Sequence, residues 1–189
     1  MNFKTDVMIV LKIIGLILLT DLLTGTVHWW EDAYGNPSWK FLGKSVVIPN
    51  LEHHQYPRKF LKHGMWPRIR LSLIIALSLG TIAYLFGVLT WEVSFVLLYA
   101  SLANEIHAIA HRTDKEKGKL ICWIQKTGLL QSRRMHGFHH TSPFDINYCV
   151  MTNYLNPILN KIRFWDGLEF VIGLLGIKPT RGLASRGGY

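Results

Sequence analysis

The chain has 189 residues, 49% of them hydrophobic, with nine histidines, two cysteines and a formal net charge of +9. That length holds one domain, the apolar share exceeds what a soluble domain of this size carries, and without a nucleic-acid motif the positive charge points to a lipid surface. The cysteines, Cys122 and Cys149, lack CxxC spacing, so neither a disulfide scaffold nor a thiolate cluster is expected, and any metal must be held by histidine and carboxylate.

The first element is an apolar run from Val7 to Val27, interrupted only by Lys12 and Asp21. It is long enough to cross a hydrocarbon core about 30 Å thick, and a transmembrane helix is predicted over about 7–29. The run has no small-residue cleavage site and passes directly into His28, Trp29 and Trp30, an interfacial belt that argues against a signal peptide. A second span is predicted over about 70–89 and a third over about 91–112, with a short turn between them that makes the two a hairpin. All lysines and arginines except Lys4 and Lys12 fall between Tyr34 and Arg70 or after His111. By the positive-inside rule both of those segments are cytosolic and the N-terminus lies outside. Over about 158–176, apolar Ile162, Trp165, Leu168 and Leu175 alternate with Lys161, Arg163, Asp166 and Glu169, the pattern of an amphipathic helix lying in the interface. Residues from about 181 onward read as a flexible tail. The expected fold is a single all-α integral membrane domain: three transmembrane helices, a cytosolic helical cap rich in histidine, and the interfacial helix.

On this topology every histidine lies on one side of the membrane. His28 and Asp32 have the i, i+4 spacing that puts two side chains on one helix face, and so do His107 and His111. Asp21 and Gly25 extend the first stripe back into the membrane, where an ionisable group faces a protein interior or polar cavity. Two denser groups follow: Glu52-His53-His54, and His136 with His139 and His140. In the latter, positions i, i+3 and i+4 converge, and one of the neighbouring pair can be shared out to a second metal. Asp32 either binds metal or orients a histidine that does, while Glu52, Asn104 and Asp145 are candidates to hydrogen-bond the ligands. His63 stands alone beside Lys62 and Gly64, and its spacing carries no ligand signal. A structural zinc takes four ligands, so eight or nine imply two metals; imidazoles with few carboxylates suit iron, copper or zinc. No HExxH, phosphate-loop or GxSxG signature competes. Gly25 and Ala103 either make room for a lipid chain or let helices pack closely.

The stretches His28-Trp29 with Asp32 and Gly35, Gly43-Lys44 with Pro49, Glu52-His53-His54 with Pro57 and His63, Asn104-Glu105-Ile106-His107 with His111, and His136 with His139-His140-x-Ser142-Pro143, then Cys149, Leu155-Asn156, Phe164-Trp165 and Lys178-Pro179, resemble in order and spacing the Kua/CarF family of lipid desaturases. That family includes plasmanylethanolamine and plastid palmitate desaturases. The resemblance implies a di-iron, O2-dependent desaturase acting on an acyl or alkyl-ether chain of a membrane lipid, with an alkene or a plasmalogen-type vinyl ether as product. Carried over by position, His28, His53, His54, His107, His111, His136, His139 and His140 would bind the two iron ions, with His63 and Asp32 as additions. Tyr56, Met135 and Phe144 depart from the family pattern, the last two standing where animal members carry further histidines. Electrons would come from an external donor such as cytochrome b5 or ferredoxin, docking around Lys126, Arg133 and Arg134, a basic face equally suited to anionic headgroups. A membrane lipid hydroxylase using the same site is the alternative within this chemistry, and a histidine-rich membrane metal-binding or transport protein the alternative outside it. The short chain favours a bacterial inner membrane over the endoplasmic reticulum.

Overall fold

The computed structural model describes residues 3–180, and among them every regular element is helical. The tail expected from residue 181 lies outside the described residues. Three stretches, Lys4–Tyr34, Met65–Leu85 and Trp91–His111, are long and apolar enough to cross a membrane, so the expected class and number of spans are borne out.

Helix α1 (Phe3–Tyr34) outruns the expected 7–29 because protein covers its last turns: Trp29, Ala33 and Tyr34 are buried with Leu159 and Trp165 near the end of the chain. Gly35 closes it, its N–H donating to the Glu31 carbonyl at 3.0 Å. A π-helical turn (Gly43–Val47) leads into α2 (Ile48–Gln55), and a Cβ at Gly43 would stand 2.2 Å from the Pro37 carbonyl oxygen, so only glycine fits there. A 3-10 turn (Lys59–Lys62) precedes α3 (Met65–Leu85).

The expected 70–89 span starts earlier, at Met65, because Arg68 is neutralised inside the fold. Its guanidinium bonds Glu105 at 2.6 and 2.8 Å, and that same carboxylate also takes Arg112 at 2.9 Å. A turn with Gly87 at φ +69° leads to α4 (Trp91–Ser101), capped by the Thr90 hydroxyl. The third span is not one helix: it breaks at Leu102 and resumes as α5 (Ala103–His111). At the break Ser72 of α3 donates its hydroxyl to the Ser101 carbonyl at 2.8 Å, so the interruption costs no buried acceptor.

Helices α3 and α4 pair as the hairpin, and α1 lies along α4. At one end of this bundle Lys12 pairs with Glu92 and sits 4.9 Å over the Trp91 ring. From there to His28 is about 24 Å along a helix rising ~1.5 Å per residue, close to the depth of a hydrocarbon core. Between these levels, side chains such as Ile14, Leu19, Leu23, Ile74, Leu77 and Leu98 face outward, as lipid-facing residues do.

The cap is built from α2 and four further helices: α6 (Asp114–Thr127), α7 (Arg133–His139), α8 (Leu155–Lys161) and α9 (Phe164–Gly173). A capping box between Thr113 and Glu116 opens α6. The single amphipathic helix expected over 158–176 is two helices, broken where Arg163 adopts φ +53°. Its apolar residues also split: Trp165 stacks on Trp29 in a buried cluster that Leu168 and Ile172 pack against, while Phe170, Val171, Leu174 and Leu175 face out. Between α7 and α8 an irregular segment holds the most deeply buried run among the described residues, Asn147 to Thr152.

Candidate metal centre

Four helices deliver histidines to one place. His28 and Asp32 come from the last turns of α1, His53 and His54 from the end of α2, His107 and His111 from α5, and His136 and His139 from α7, with His140 just beyond it. Helical spacing then sorts them into two groups, five histidines (53, 107, 111, 136 and 140) and His28, Asp32, His54 and His139. The i, i+4 partners stay together, whereas the adjacent pairs His53/His54 and His139/His140 are divided between the groups.

In the first group the Nε2 atoms meet. His53 lies 3.0 Å from His107 and 3.1 Å from His111, His136 lies 2.9 Å from His107 and 2.7 Å from His111, and His140 is 3.0 Å from His136. A neutral imidazole Nε2 either donates or accepts, so five converging nitrogens cannot all satisfy one another. Ligands at right angles around a metal at about 2.1 Å stand about 3.0 Å apart, which is the spacing seen. Burial, reinforced by the neighbouring imidazoles, holds His53 and His136 well below the ordinary histidine value and pushes His140 down to about 2. These residues therefore present neutral lone pairs, the form that binds metal. Phe60 packs its ring 5.2 Å from His53 and 5.6 Å from His107 and walls this group.

The second group is oriented by backbone. His28 Nδ1 donates to the Tyr148 carbonyl at 3.2 Å and His139 Nδ1 to the Ile146 carbonyl at 2.9 Å, which fixes both tautomers with Nε2 as the free lone pair. Those two Nε2 atoms and Asp32 Oδ2 are buried without a hydrogen-bond partner, with the His28 and His139 nitrogens 3.6 and 3.3 Å from Asp32 Oδ2. Asp32 Oδ1 meanwhile faces His54 Nε2 at 3.1 Å and accepts from Asn50 Nδ2. Buried polar atoms left unpaired yet aimed at one another fit a cation between them. The first group offers five nitrogens, the second three nitrogens and one carboxylate. His139 to His136 and His139 to His140 are 5.7 and 5.5 Å between ring centroids, so the two positions adjoin.

Not every expected residue comes here. His63 is exposed in the extended link after the 3-10 turn, where its carbonyl accepts from Arg68, and its side chain joins neither group. Glu52 bonds Lys59 at 2.7 Å on the surface, and Asn104 donates to the Arg68 carbonyl at 3.1 Å, so both stabilise the scaffold without touching a histidine. Asp145 hydrogen-bonds none of the nine residues; the Ile146 carbonyl beside it orients His139 instead. Phe144 packs its ring 5.3 Å from His54. Arg133 and Arg134 are exposed on the first turn of α7 and line a cleft with Thr113, Asp114 and Lys115; Lys126 is exposed on α6. Gly25 resolves to close packing, since a Cβ there would lie 2.8 Å from Cys149 Sγ and 3.0 Å from its Cα. Ala103 packs beside Ile106, Val150 and Met151.

Sequence reasoning missed Asn50 and the two carbonyls. Asn50 and His54 stand i, i+4 on α2, so the rule that paired the histidines also points to Asn50. A backbone carbonyl leaves no residue signature to find.

Residues 17–182 match the family model described as the lipid desaturase domain. The chain is 35% identical, over 86% of its length and 82% of the relative's, to a probable fatty acid desaturase of Acanthamoeba polyphaga mimivirus. It is 29% identical to plasmanylethanolamine desaturase 1 of Mus musculus, over 91% of this chain and 68% of that one. Identity to the chloroplastic fatty acid desaturase 4 of Arabidopsis thaliana is 30%, over 86% of this chain and 51% of that protein. No solved structure matches the chain.

Proposed function

The chain belongs to the lipid desaturase family, an oxidoreductase family, and from that membership we propose that it is a di-iron, O2-dependent desaturase that places a double bond in an acyl or alkyl-ether chain of a membrane lipid. The observation that carries this reading is the pair of adjoining ligand groups at one end of three apolar spans. Nine nitrogen and oxygen donors without a thiolate suit two iron ions, and His28, Asp32, His54 and His139 would hold one while His53, His107, His111, His136 and His140 hold the other. Bound iron would supply the reduction of O2 and the oxidising power to remove hydrogen from adjacent carbons of the chain.

The protein's own part is placement. Burial of six of the nine residues, with Asp32, His54 and His140 partly buried, keeps bulk water from the reacting carbons, the carbonyls of Ile146 and Tyr148 hold two rings in register, and Asp32 contributes the single negative charge. A lipid chain reaches the centre from the apolar faces of α1, α3 and α4. An acyl chain would yield an alkene, as the names of the viral and plant relatives suggest for those proteins, and an ether-linked chain would yield the vinyl ether suggested by the mouse relative's name. Electrons would be delivered by an external carrier such as cytochrome b5 or ferredoxin at the exposed Lys126, Arg133 and Arg134. The distribution of lysine and arginine supports a cytosolic position for the centre.

Two measurements test the proposal. Purified protein should hold iron near two per chain, and labile zinc or copper in its place would sink the reading. Lipid profiles of cells with and without the gene should differ by new double bonds or vinyl ethers, whereas hydroxylated chains without them would move the assignment to a hydroxylase.

A further inference from the structure

Asp21 lies inside the apolar stretch of α1, fully buried, with no role in the ligand groups. Its carboxylate is a complete acceptor site. Oδ1 takes the Met151 N–H at 2.9 Å, and Oδ2 takes the Thr152 N–H at 3.0 Å and the Thr152 hydroxyl at 2.6 Å. One turn along the same stripe, Gly25 leaves space that the Cys149 backbone fills, and the next residue of the stripe, His28, bonds the Tyr148 carbonyl. The chain from Tyr148 to Thr152 therefore runs antiparallel to α1 from His28 back to Asp21. The lengths agree: seven helical residues rise about 10 Å, within the reach of about 13 Å for four extended residues.

We infer that Asp21 is a positioning residue for the four-ligand metal position: it clamps the buried segment to α1 and thereby sets the carbonyls that aim His28 and His139. This rests on the reading of that group as a metal position. A carboxylate is costly at membrane depth and is retained there when it does a job no neutral group does. Here three donors converge on it, two from backbone that has no helix or sheet to bond to; a carboxamide could not accept all three. The ring nitrogens bonded by the Tyr148 and Ile146 carbonyls belong to the four-ligand group, while Val150 and Met151 meet α5 through apolar packing on Ile106, so the clamp acts most directly on the four-ligand position.

The test is iron uptake by the full chain in lipid nanodiscs, loaded anaerobically with ferrous iron, with stoichiometry by metal analysis and site identity by Mössbauer spectroscopy. Wild-type protein should take up two irons in distinct environments. Asp21→Asn should keep its helical circular dichroism and one tightly held iron, while the second binds about 10–100-fold more weakly and its spectral component fades. Thr152→Val removes one of the three bonds and should weaken the same iron by a smaller factor. Two irons of wild-type affinity and spectrum in Asp21→Asn would overturn the inference. So would loss of both irons or of helical content, since Asp21 would then support the whole fold and not one position. Wild-type protein that takes up no iron overturns the underlying reading as well, and the wild-type control tells that failure apart.

Discussion

His63 and Asp32 show how differently two side chains within the same resemblance can be placed. Asp32 sits on the inward stripe of α1 between three imidazoles, whereas His63 follows a 3-10 turn, is exposed and joins neither group. Replacing His63 with alanine should therefore leave two irons bound and activity within about twofold of wild type, in the range expected of surface substitutions. Metal analysis alongside a desaturation assay checks this, and loss of an iron would restore His63 to the centre. Titration of the metal-free protein is a second residue-level consequence. His53, His136 and His140 have folded values depressed by burial, so between those values and about 6.5 the unfolded chain binds more protons than the folded one. The stability they contribute is complete above about pH 6.5 and falls as the pH drops below it. Metal-free protein in detergent should melt at a lower temperature at pH 5 than at pH 7.5, and a flat profile would contradict the buried, neutral state.

At the scale of elements, the ion pairs around Glu105 decide where α3 begins and how it meets α5. Arg68 and Glu105 are buried to 4% and 14% side-chain exposure, so removing Glu105 strands the Arg68 guanidinium, whereas removing Arg68 leaves Glu105 paired with the more exposed Arg112. Glu105→Leu should destabilise the fold by about 3–5 kcal/mol, while the double substitution with Arg68→Met should recover most of that, because two apolar groups need no partner. Thermal unfolding of the three variants measures the difference. The i, i+4 relations that put His28 with Asp32 and His107 with His111 were readable without coordinates, whereas the sequence left open which of His139 and His140 accompanies His136, and the structure groups His140 with it. The break at Leu102 and the αL residue at Arg163 were not readable, since neither is marked by glycine or proline. The break at Leu102 is met by the Ser72 hydroxyl of α3.

For the molecule as a whole, charge and apolar surface divide along its length. The exposed Arg133 and Arg134 begin α7, the helix that ends in His136, His139 and His140, so a carrier bound there stands close to the centre. Reversing both charges, as Arg133→Glu with Arg134→Glu, should raise the KM for an acidic electron donor at least tenfold at low salt, with a difference that shrinks as ionic strength rises. Steady-state kinetics against donor concentration at two salt levels reads this out. An unchanged KM would place the donor elsewhere and leave that face to lipid headgroups.

Sequence alone determined the class of this protein: long apolar runs must be satisfied as helices in lipid, the basic residues gather beyond them, and the order of the histidine stretches identified the family. Helical periodicity also allowed neighbours in sequence to part company, because adjacent residues on a helix point about 100° apart, but it did not say which of His139 and His140 stays with His136. What only the tertiary structure decided is which clusters meet which. His54 shares a group with His28 and His139 while His53 joins α5, and the rings are aimed by carbonyls of a segment with no regular structure. Those choices depend on a buried loop held by Asp21 through long-range hydrogen bonds, and a bond between residues some 130 positions apart leaves no periodic trace along the chain.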